Sequence, residues 1–582
     1  MENKRKGLKK NQIVTFLVTV VIVILVNVIG SYVFTRFDLT SEKRYTLSPT
    51  TKEILNDLND YVYFKVYLEG DFPAGFKKLR RETKEMLDEF RAYSKYIDYE
   101  FINPSESSDA AERNDTYKQL YQAGLNPTDM VVKNRDGSSK QMVIWPGALV
   151  SYRNNTEIAI DLLENQIGQS SEEALNASMQ NLEFRLIDAV KKVTRMMKPN
   201  VAFIEGHGEL TEQEVYDIAQ TLSQNYNVVR LEIDGKIDAL MHRTQDEEKE
   251  VKAFPSYDAI IIAKPTQPFD ERDKFLIDQY VMHGGKVLWM VEPVYATMDS
   301  LQNQESTIGI EQDLNLDDML FKYGVRLNRD LLLDLTCAAL PIRTGQVAGQ
   351  AQLEFFRWYY FPLLQAASEH PMVRNMNAIK ADFVSSVDAT TSADGIEQIP
   401  LLKTSNYTKV SGTPVFISLA MVRQAPDKRM FVSKGKNVAY LLKGSFPSLY
   451  ANRIPQEIAE DNGMQFMEVS KPTAMIVVAD GDLIRNQIDI KTRRPLPLGF
   501  DQYTKNTYAN KEFIENAISY LVEGEGMIDI RSRELKVRLL DATKTNKEST
   551  KWQIINTLLP IALIIALGFV MAFIRKKKYS KK

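Results

Sequence analysis

The sequence predicts a mixed α/β protein that is held in a membrane at both ends. Residues 13–34 and 553–574 contain no charged side chain, and a lysine cluster lies on the outer side of each. Between them, apolar runs of strand length alternate with segments of helical periodicity, which is typical of strands packed against helices. These two observations predict two transmembrane helices, over 13–34 and 552–574, and a large globular part between them.

Both apolar segments are long enough to cross a bilayer. At about 1.5 Å of rise per residue, each spans the roughly 30 Å hydrocarbon core as a helix. Basic residues remain on the cytoplasmic side of a membrane. We therefore expect cytoplasmic tails over 1–12 and 575–582, in an inner-membrane protein whose large part is periplasmic. The residues expected to anchor the chain in membrane lipid are Lys9, Lys10, Trp552, Pro560, Arg575 and Lys576.

Each segment has an alternative interpretation. The first could be a cleaved signal peptide, but its apolar run is long for that role and no small-residue cleavage site follows it. The second could be a buried core helix. However, it is apolar on every face and ends in a cationic tail, which favours the membrane. Pro560 does not exclude a helix, because helices in lipid tolerate proline.

Composition excludes several functions. The chain has 582 residues, of which 44% are hydrophobic and 26% charged, and its net charge is −3, so neither disorder nor nucleic-acid binding is indicated. Cys337 is the sole cysteine, which excludes an intrachain disulfide or thiol exchange. Four histidines leave little material for metal sites. We expect no cofactor and no metal.

Residues 38–196 are predicted to form a thioredoxin-like α/β domain. Ser48 and Pro49 indicate the start of the first helix, and the turn signal at 134–137 indicates a hairpin. The predicted order is β-α-β-α-β-β-α, with strands at 61–68, 97–102, 130–132 and 142–144 and later helices at 76–93, 111–123 and 172–194. The domain lacks the Cys-x-x-Cys of redox members, so it is interpreted as a scaffold.

Residues 197–528 are predicted to form a second α/β domain of flavodoxin or Rossmann-like type. Continuously apolar strands that alternate with helices indicate a parallel sheet covered on both faces. The predicted strands are 201–204, 228–233, 257–263 and 286–291, then 438–443 and 474–478, with helices at 211–225, 271–283, 317–323 and 510–521. We interpret residues 337–434 as an insertion and 529–551 as a charged stalk.

The sharpest local motif is the turn Gly206-His207-Gly208-Glu209, which follows a predicted strand and precedes a helix. Ligands bind in this position in α/β folds, so His207 and Glu209 could contact a small ligand or a partner, together with Lys264 and Pro265 at the end of the next strand. The alternative is a tight turn that needs the backbone freedom of glycine. No serine or cysteine nucleophile lies in the turn, so no catalytic residue is predicted.

Other motifs are absent or weak. The sequence contains no phosphate-binding loop, no His-Glu-x-x-His and no Gly-x-Gly-x-x-Gly after a strand. Asp480-Gly481-Asp482 fails the spacing of a calcium loop, and a solvated turn is the expected structure. The aromatic run 358–361 is interpreted as a strand shared between core and surface.

Several stretches together resemble one family. They are Arg-Tyr-Thr-Leu-Ser-Pro (44–49), Phe-Ile-Glu-Gly-His-Gly-Glu (203–209), Ala-Lys-Pro-Thr-Gln-Pro-Phe (263–269), Ile-Asp-Gln-Tyr-Val-Met-His-Gly-Gly-Lys (277–286) and Trp-Gln-Ile-Ile-Asn-Thr-Leu-Leu-Pro (552–560). The chain resembles, from end to end, the GldG family of Bacteroidota, the gliding-motility-associated auxiliary or substrate-binding subunits of an ABC transporter.

The resemblance implies partners rather than chemistry. It implies a GldF-like ABC permease subunit, a GldA-like cytoplasmic ATPase, and a role in gliding motility with a link to type IX secretion. The family has no catalytic residue set. We therefore expect a non-enzymatic accessory subunit that couples a periplasmic module to the permease. Two other functions stay open: an anchored periplasmic ligand- or sugar-binding receptor, and a hydrolase that uses His207 and Glu209.

Overall fold

The computed structural model describes most of the chain and divides it into two compact units. One unit is Leu47–Arg533, and the other combines Met1–Thr46 with Glu534–Lys582. The described residues are 14–25, 46–133, 139–153, 157–163, 171–195, 197–233, 239–245, 251–301, 304–347, 350–374, 376–391, 395–451, 465–531 and 548–579.

The unit formed by the two chain ends contains two apolar helices, α1 (Val14–Leu25) and a long C-terminal helix (Ser549–Tyr579). Within the described residues, one stretch is long and apolar enough to cross a membrane, Ser549–Lys577. Helix α1 is a shorter apolar helix, and the rest of the predicted 13–34 span lies outside the described residues. Membrane anchoring is compatible with both helices.

The predicted anchor residues fall partly on the long helix. The side chain of Trp552 is half exposed, and its Nε1 donates to Oε2 of Glu548 at 3.1 Å. Pro560 lies inside the helix without ending it, and Arg575 and Lys576 lie near its C-terminus. Lys9, Lys10, most of the predicted stalk and the last residues lie outside the described residues.

The larger unit begins with an α/β region at residues 47–195. Its strands are β1 (Val62–Val66), β2 (Ile97–Phe101), β3 (Thr128–Lys133), β4 (Ser139–Ile144), β5 (Gly147–Tyr152) and β6 (Ile158–Asp161). Its helices are α2 (Pro49–Asn56), α3 (Ala74–Tyr93), α4 (Ala110–Gln122), α5 (Ser171–Gln180) and α6 (Leu182–Thr194). Helix α2 begins as predicted, because Oγ of Ser48 accepts a hydrogen bond from the backbone N of Thr51.

The four-stranded sheet of this region has the order β2-β1-β5-β6. Strand β1 is parallel to β2 and antiparallel to β5, and β5 is antiparallel to β6. The hairpin predicted at 130–144 is present as β3 and β4. The predicted thioredoxin-like order implied that this hairpin belongs to the main sheet, and this was wrong, because the two strands form a separate sheet. Pro146 separates β4 from β5, and the short apolar run 148–150 supplies the strand that pairs with β1.

The second α/β region starts with β7 (Asn200–Glu205) and carries the remaining strands. They are β8 (Asn227–Glu232), β9 (Met241–Gln245), β10 (Val251–Pro255), β11 (Ala259–Ala263), β12 (Val287–Met290), β13 (Val294–Tyr295), β14 (Ser306–Glu311), β15 (Val325–Leu327), β16 (Asp330–Asp334), β17 (Cys337–Val347), β18 (Gln350–Ala366), β19 (Ile379–Lys380), β20 (Val387–Ala389), β21 (Ile396–Lys403), β22 (Thr408–Gly412), β23 (Val415–Ser418), β24 (Asn437–Gly444) and β25 (Thr473–Val478). The helices are α7 (Tyr216–Ser223), α8 (Glu271–Met282), α9 (Asp317–Tyr323), α10 (Asn510–Glu523) and α11 (Glu525–Arg531), so that Ser549–Tyr579 is α12.

One large sheet organises this region. Five strands are parallel, in the order β8-β7-β11-β12-β25, and β24, β21, β18 and β17 extend the sheet on the β25 side in antiparallel pairing. The mixed α/β class is therefore confirmed. Because the five parallel strands run the same way, their carboxyl ends share one edge of the sheet, which we call the carboxyl edge.

Apolar side chains cover both faces of the parallel strands. Ile260 and Ile262 of β11 belong to one core with Tyr280 of α8, whereas Ile261 belongs to the opposite core with Phe513 of α10. All five are almost fully buried. Burying such a side chain is worth about 1.5–3 kcal/mol, so the continuous apolar run of β11 stabilises both layers.

The two α/β regions also contact each other directly. Met527 and Ile530 of α11 lie in the core of the first region. Glu523 at the end of α10 accepts ion pairs from Lys191 at 2.7 Å and from Arg195 at 3.0 Å. The helices after the large sheet therefore bind the first region to it within one compact unit.

The aromatic run 358–361 in β18 is buried rather than shared with the surface. Trp358, Tyr359, Tyr360 and Phe361 are all buried, and they pack with Phe383 in a core of their own. The prediction of a half-exposed strand was wrong because β18 is covered on both faces where the run lies. Leu353 and Phe355, nearer the start of β18, are exposed.

Cys337 at the start of β17 is expected to react slowly. Burial raises the pKa of its thiol to about 11, and the thiolate is the reactive form. Alkylation of the folded chain near pH 8 should therefore proceed at least about tenfold more slowly than alkylation of the urea-unfolded chain. Mass spectrometry of timed samples measures both rates, and equal rates would contradict the raised pKa of this partly buried thiol.

Candidate functional site

The predicted turn lies at the end of β7, on the carboxyl edge. Gly206 and Gly208 have φ angles of 117° and 71°, a region that side chains disfavour. A Cβ on Gly208 would also lie 2.2 Å from Oγ1 of Thr266. The turn is joined to the loop after β11, because the carbonyl of His207 accepts hydrogen bonds from the backbone N of Thr266 at 2.9 Å and of Gln267 at 2.8 Å.

The ring of His207 is fully engaged inside the protein. Its Nδ1 lies 3.3 Å from Oε1 of Glu209, and its Nε2 lies 3.1 Å from Oδ2 of Asp273. The ring stacks on Phe269 at 3.7 Å between centroids and is 4% exposed. Both ring nitrogens are therefore paired with carboxylates, and the geometry of the turn favours a positioning role over direct contact with a ligand.

This arrangement makes the stability of the turn depend on pH. Burial alone lowers the pKa of His207, but Glu209 and Asp273 outweigh it and hold the pKa above its ordinary 6.5. The stabilisation by the charged ring is complete below pH 6.5 and is lost as pH rises through the folded-state pKa. The Tm difference between the wild-type chain and His207→Gln should thus be larger at about pH 6 than at about pH 8.5.

A matched control is available at the surface. His242 stacks on Phe254 at 5.8 Å and is exposed. The Tm of His242→Gln should follow the wild type at both pH values. If the Tm difference between the wild type and His207→Gln stayed constant or grew as pH rises, it would contradict a charged His207 between Glu209 and Asp273.

Lys264 lies next to this turn, at the end of β11, with a positive φ of 55°. Its side chain is 12% exposed, and its ammonium contacts two carboxyl groups, Oδ2 of Asp482 at 2.6 Å and Oε1 of Glu292 at 3.1 Å. The carbonyl of Pro265 accepts a hydrogen bond from Gln312 at 3.4 Å. The charge of Lys264 is thus satisfied by the protein, and a binding role for Lys264 or Pro265 stays a prediction.

Asp480-Gly481-Asp482, expected as a solvated turn, is instead part of a buried cluster. Asp480 is fully buried, and its Oδ1 accepts from the backbone N of Asp482 at 2.7 Å while its Oδ2 accepts from the backbone N of Asp382 at 2.9 Å. A Cβ on Gly481 would lie 2.4 Å from Cβ of Lys264. The prediction was wrong because β25 is an inner strand of the sheet, so the turn after it is covered by neighbouring loops.

The carboxylates of this cluster resemble a cation site by their chemistry. Oxygens of Glu292, Asp480 and Asp482 lie within 4.8 Å of one another. However, the ammonium of Lys264 already lies against two of them. Oε1 of Glu292 faces that ammonium without the geometry of a hydrogen bond. The cluster therefore carries its own cation, which a metal would have to displace.

Burial raises the pKa of two carboxyls in this cluster. Burial raises the pKa of Glu292 to about 8, with a further contribution from Asp482. Burial and Asp482 also raise the pKa of Asp480 well above its ordinary value. Glu292 is therefore largely protonated near pH 7, which leaves Asp482 as the acid that pairs with the ammonium of Lys264.

A second group of charges adjoins the first. Nζ of Lys380 lies 3.0 Å from Oδ1 of Asp382 and 4.3 Å from the ring centroid of Phe361. Arg485 reaches Oε1 of Glu214 at 2.7 Å and Oδ1 of Asp482 at 3.5 Å. These pairs cover the carboxyl edge next to β25.

A cavity of about 830 Å³ opens above these charges. Its lining includes the apolar side chains of Leu340 and Phe361 and the charged side chains of Asp482 and Arg485. Arg343 also lines the cavity and has no ion pair within the part of the chain that the structure describes. The cavity is large enough for a small organic ligand.

The cavity lining combines apolar, charged and amide side chains. Among the described residues that line it, there is no serine, threonine, cysteine or histidine. Gly206, His207, Gly208, Glu209, Lys264 and Pro265 do not line it either. The structure brings the two predicted loops together, but they bond to each other and to the buried cluster, while the open space lies beyond Asp482.

Two family models match separate parts of the chain. Residues 198–517 match the ABC transport auxiliary family, described as an ABC-type uncharacterized transport system, and this match covers more than half of the chain. The chain belongs to the ABC transport auxiliary family. Residues 41–151 match a domain of unknown function, DUF7088. Membership in the auxiliary family supports an accessory role alongside ABC transporter components.

Two individual proteins are also similar to this member of the auxiliary family. An uncharacterized protein of Borreliella burgdorferi is 20% identical over 583 residues, which is 98% of this chain and 99% of the relative. A solved structure, the mmIFT52 N-terminal domain, has a TM-score of 0.30 and 11% identity, covering 58% of this chain and all of that domain. At that similarity, the solved structure supports no conclusion about function.

Proposed function

We propose that this chain is a non-catalytic accessory subunit of an ABC transport system, which couples its large extramembrane unit to the permease. The family match over 198–517 is the observation that carries the proposal. The apolar helix Ser549–Lys577 supports anchoring in the same membrane as a permease. Charged groups on the carboxyl edge are paired with one another, which is consistent with a rigid scaffold rather than a reacting centre.

The finer parts of the proposal extend the family assignment. We place the chain in the bacterial inner membrane as a two-pass protein with both termini cytoplasmic, beside a GldF-like permease and a GldA-like ATPase in a gliding-motility system. The order of the parallel strands along the chain, 2-1-3-4-5 from β8 to β25, supports a flavodoxin-like second domain. The sheet order β2-β1-β5-β6 supports a thioredoxin-like first domain.

The coupling can be tested by ATP hydrolysis. The permease and ATPase would be reconstituted in lipid with and without the full chain. We expect the full chain to change the hydrolysis rate at least about twofold, because differential contact with two permease states shifts their populations. A variant that lacks residues 548–582 is the control and should have no effect. An unchanged rate with the intact chain would contradict coupling.

A second candidate function, a ligand-binding receptor, is favoured by the cavity next to Asp482. Arg343, which forms no ion pair among the described residues, and aromatic Phe361 offer a cation and a stacking surface to a polar ligand such as a sugar or peptide. Thermal shift of the full chain with a panel of such ligands tests it. A shift that Arg343→Ala abolishes would support the receptor, and no shift across the panel would contradict it.

A further inference from the structure

A basic segment at residues 421–436 stands out from an otherwise slightly acidic chain. It contains five cations, Arg423, Lys428, Arg429, Lys434 and Lys436, and one acid, Asp427, so its net charge is +4. The segment connects β23 to β24 through two short 3-10 helices, Leu419–Arg423 and Lys428–Met430. Within the described part of the chain, none of the five cations forms a salt bridge.

The fold holds this segment in a fixed, outward-facing position. Phe431 is buried and packs against Tyr359 at 5.7 Å between ring centroids. Ser433 exchanges two backbone hydrogen bonds with Thr408, at 3.0 and 3.3 Å. The segment is therefore pinned to the core at two points.

Between and beside these two points, apolar side chains are exposed. Met430 is 51% exposed and Val432 is 73% exposed. Both are adjacent in sequence to the buried Phe431, and Lys428, Arg429 and Lys434 are exposed around them. This surface thus presents two apolar side chains beside Lys428, Arg429 and Lys434, which form no salt bridge with any residue that the structure describes.

We propose that the segment 421–436 binds the headgroup surface of anionic phospholipid. Cations attract an anionic bilayer surface, and apolar side chains between them enter the interface. The proposal rests on the membrane anchoring proposed above. A chain already tethered to the bilayer meets its surface at high effective concentration, so even weak affinity suffices. This contact fixes how the extramembrane unit lies on the membrane.

The test uses an environment-sensitive dye on the full chain. Val432→Cys is introduced into a Cys337→Ser background, labelled, and reconstituted in nanodiscs of phosphatidylcholine with or without phosphatidylglycerol. Co-elution with the nanodisc establishes insertion separately from the behaviour of the segment. We expect the emission to shift to the blue only with phosphatidylglycerol, and 1 M salt to reverse the shift, because salt screens these charges.

A matched pair of variants makes the test specific. Replacing Lys428, Arg429 and Lys434 with glutamine should abolish the shift. Replacing Lys491, Arg494 and Lys505, three other cations of the same unit, with glutamine should preserve it. Identical emission in both lipids would overturn the proposal and would fit a protein partner instead. A shift that survives the first triple substitution would also overturn it.

Discussion

Replacing Lys264 with methionine is expected to destabilise the folded chain by about 3–5 kcal/mol, the usual cost of breaking a buried ion pair from one side. The substitution leaves the carboxylate of Asp482 without its partner at 2.6 Å. Arg485, at 3.5 Å from Asp482, compensates only in part. Methionine has a side chain of similar length and keeps the strain of the positive φ. The lost charge therefore dominates the change in the free energy of unfolding. Thermal unfolding of the detergent-solubilised full chain measures it.

Two further variants isolate the cause. Lys264→Met combined with Asp482→Asn should be more stable than Lys264→Met alone, because the uncompensated charge is then absent. Lys443→Met removes a surface cation that pairs with Glu525 at 3.0 Å, and it should cost less than about 1 kcal/mol. Equal effects of Lys264→Met and Lys443→Met would contradict a buried network on the carboxyl edge.

Replacing Asp278 with alanine is expected to cost a similar amount, about 3–5 kcal/mol, since each buried donor left unpaired costs about 1–3 kcal/mol. Asp278 of α8 is fully buried. It accepts hydrogen bonds from Oγ of Ser448 at 2.6 Å, the backbone N of Leu449 at 2.8 Å and the hydroxyl of Tyr323 at 2.9 Å. It therefore joins α8 to α9 and to the loop after β24.

Hydrogen exchange should localise this effect. In Asp278→Ala, amides of α9 and of residues 446–450 should exchange faster, whereas those of α3 in the first α/β region should not. Asp388→Ala is the matched control, because Asp388 is exposed and pairs with Arg326 at 3.5 Å. Uniform acceleration across the unit, or none, would contradict the role of Asp278 as a local junction.

Local patterns in the sequence predicted the elements that depend on neighbouring residues. The triple isoleucine of β11, the Ser48 cap of α2 and the alternation in β1 all appear as expected, because each follows from backbone propensity and the period of apolar residues. Gly324, with a φ of 118°, ends α9 at the predicted position. These features require little knowledge of distant chain segments.

Contacts between residues that are distant in sequence could not be predicted. The partners of Lys264 are Glu292 and Asp482, which lie on two other strand ends and far apart in sequence. Glu292 belongs to no recognisable motif, and Asp480-Gly481-Asp482 fails the spacing of a calcium loop, so the buried cluster could not be found without the order of strands in the sheet. The same limit explains the four-stranded sheet of the first region, in which β5 and β6 take the places that the predicted order gave to the hairpin β3–β4. Both pairs contain short apolar runs, and the local sequence does not show which pair joins β1.

The turn and the loop of the candidate site could be recognised from the sequence, and their role in binding stays a prediction. The turn at His207 and the loop at Lys264 were identified, since glycines after a strand mark the carboxyl edge of an α/β sheet. Their partner Asp273 and the adjacent cavity were not, because α8 and the loop beyond Asp482 supply them from distant sequence. His207 and Lys264 therefore form contacts within the carboxyl edge, and the cavity lies beside them, beyond Asp482.

Quantitative co-purification tests the accessory role most directly. The full chain would be isolated under mild detergent from the membranes in which it is naturally expressed, and its companions would be quantified by mass spectrometry. The proposed function predicts an ABC permease subunit and an ABC ATPase at fixed ratios to the chain, retained after gel filtration. A chain that elutes alone, with both ABC subunits absent at every detergent concentration that keeps it folded, would contradict that function.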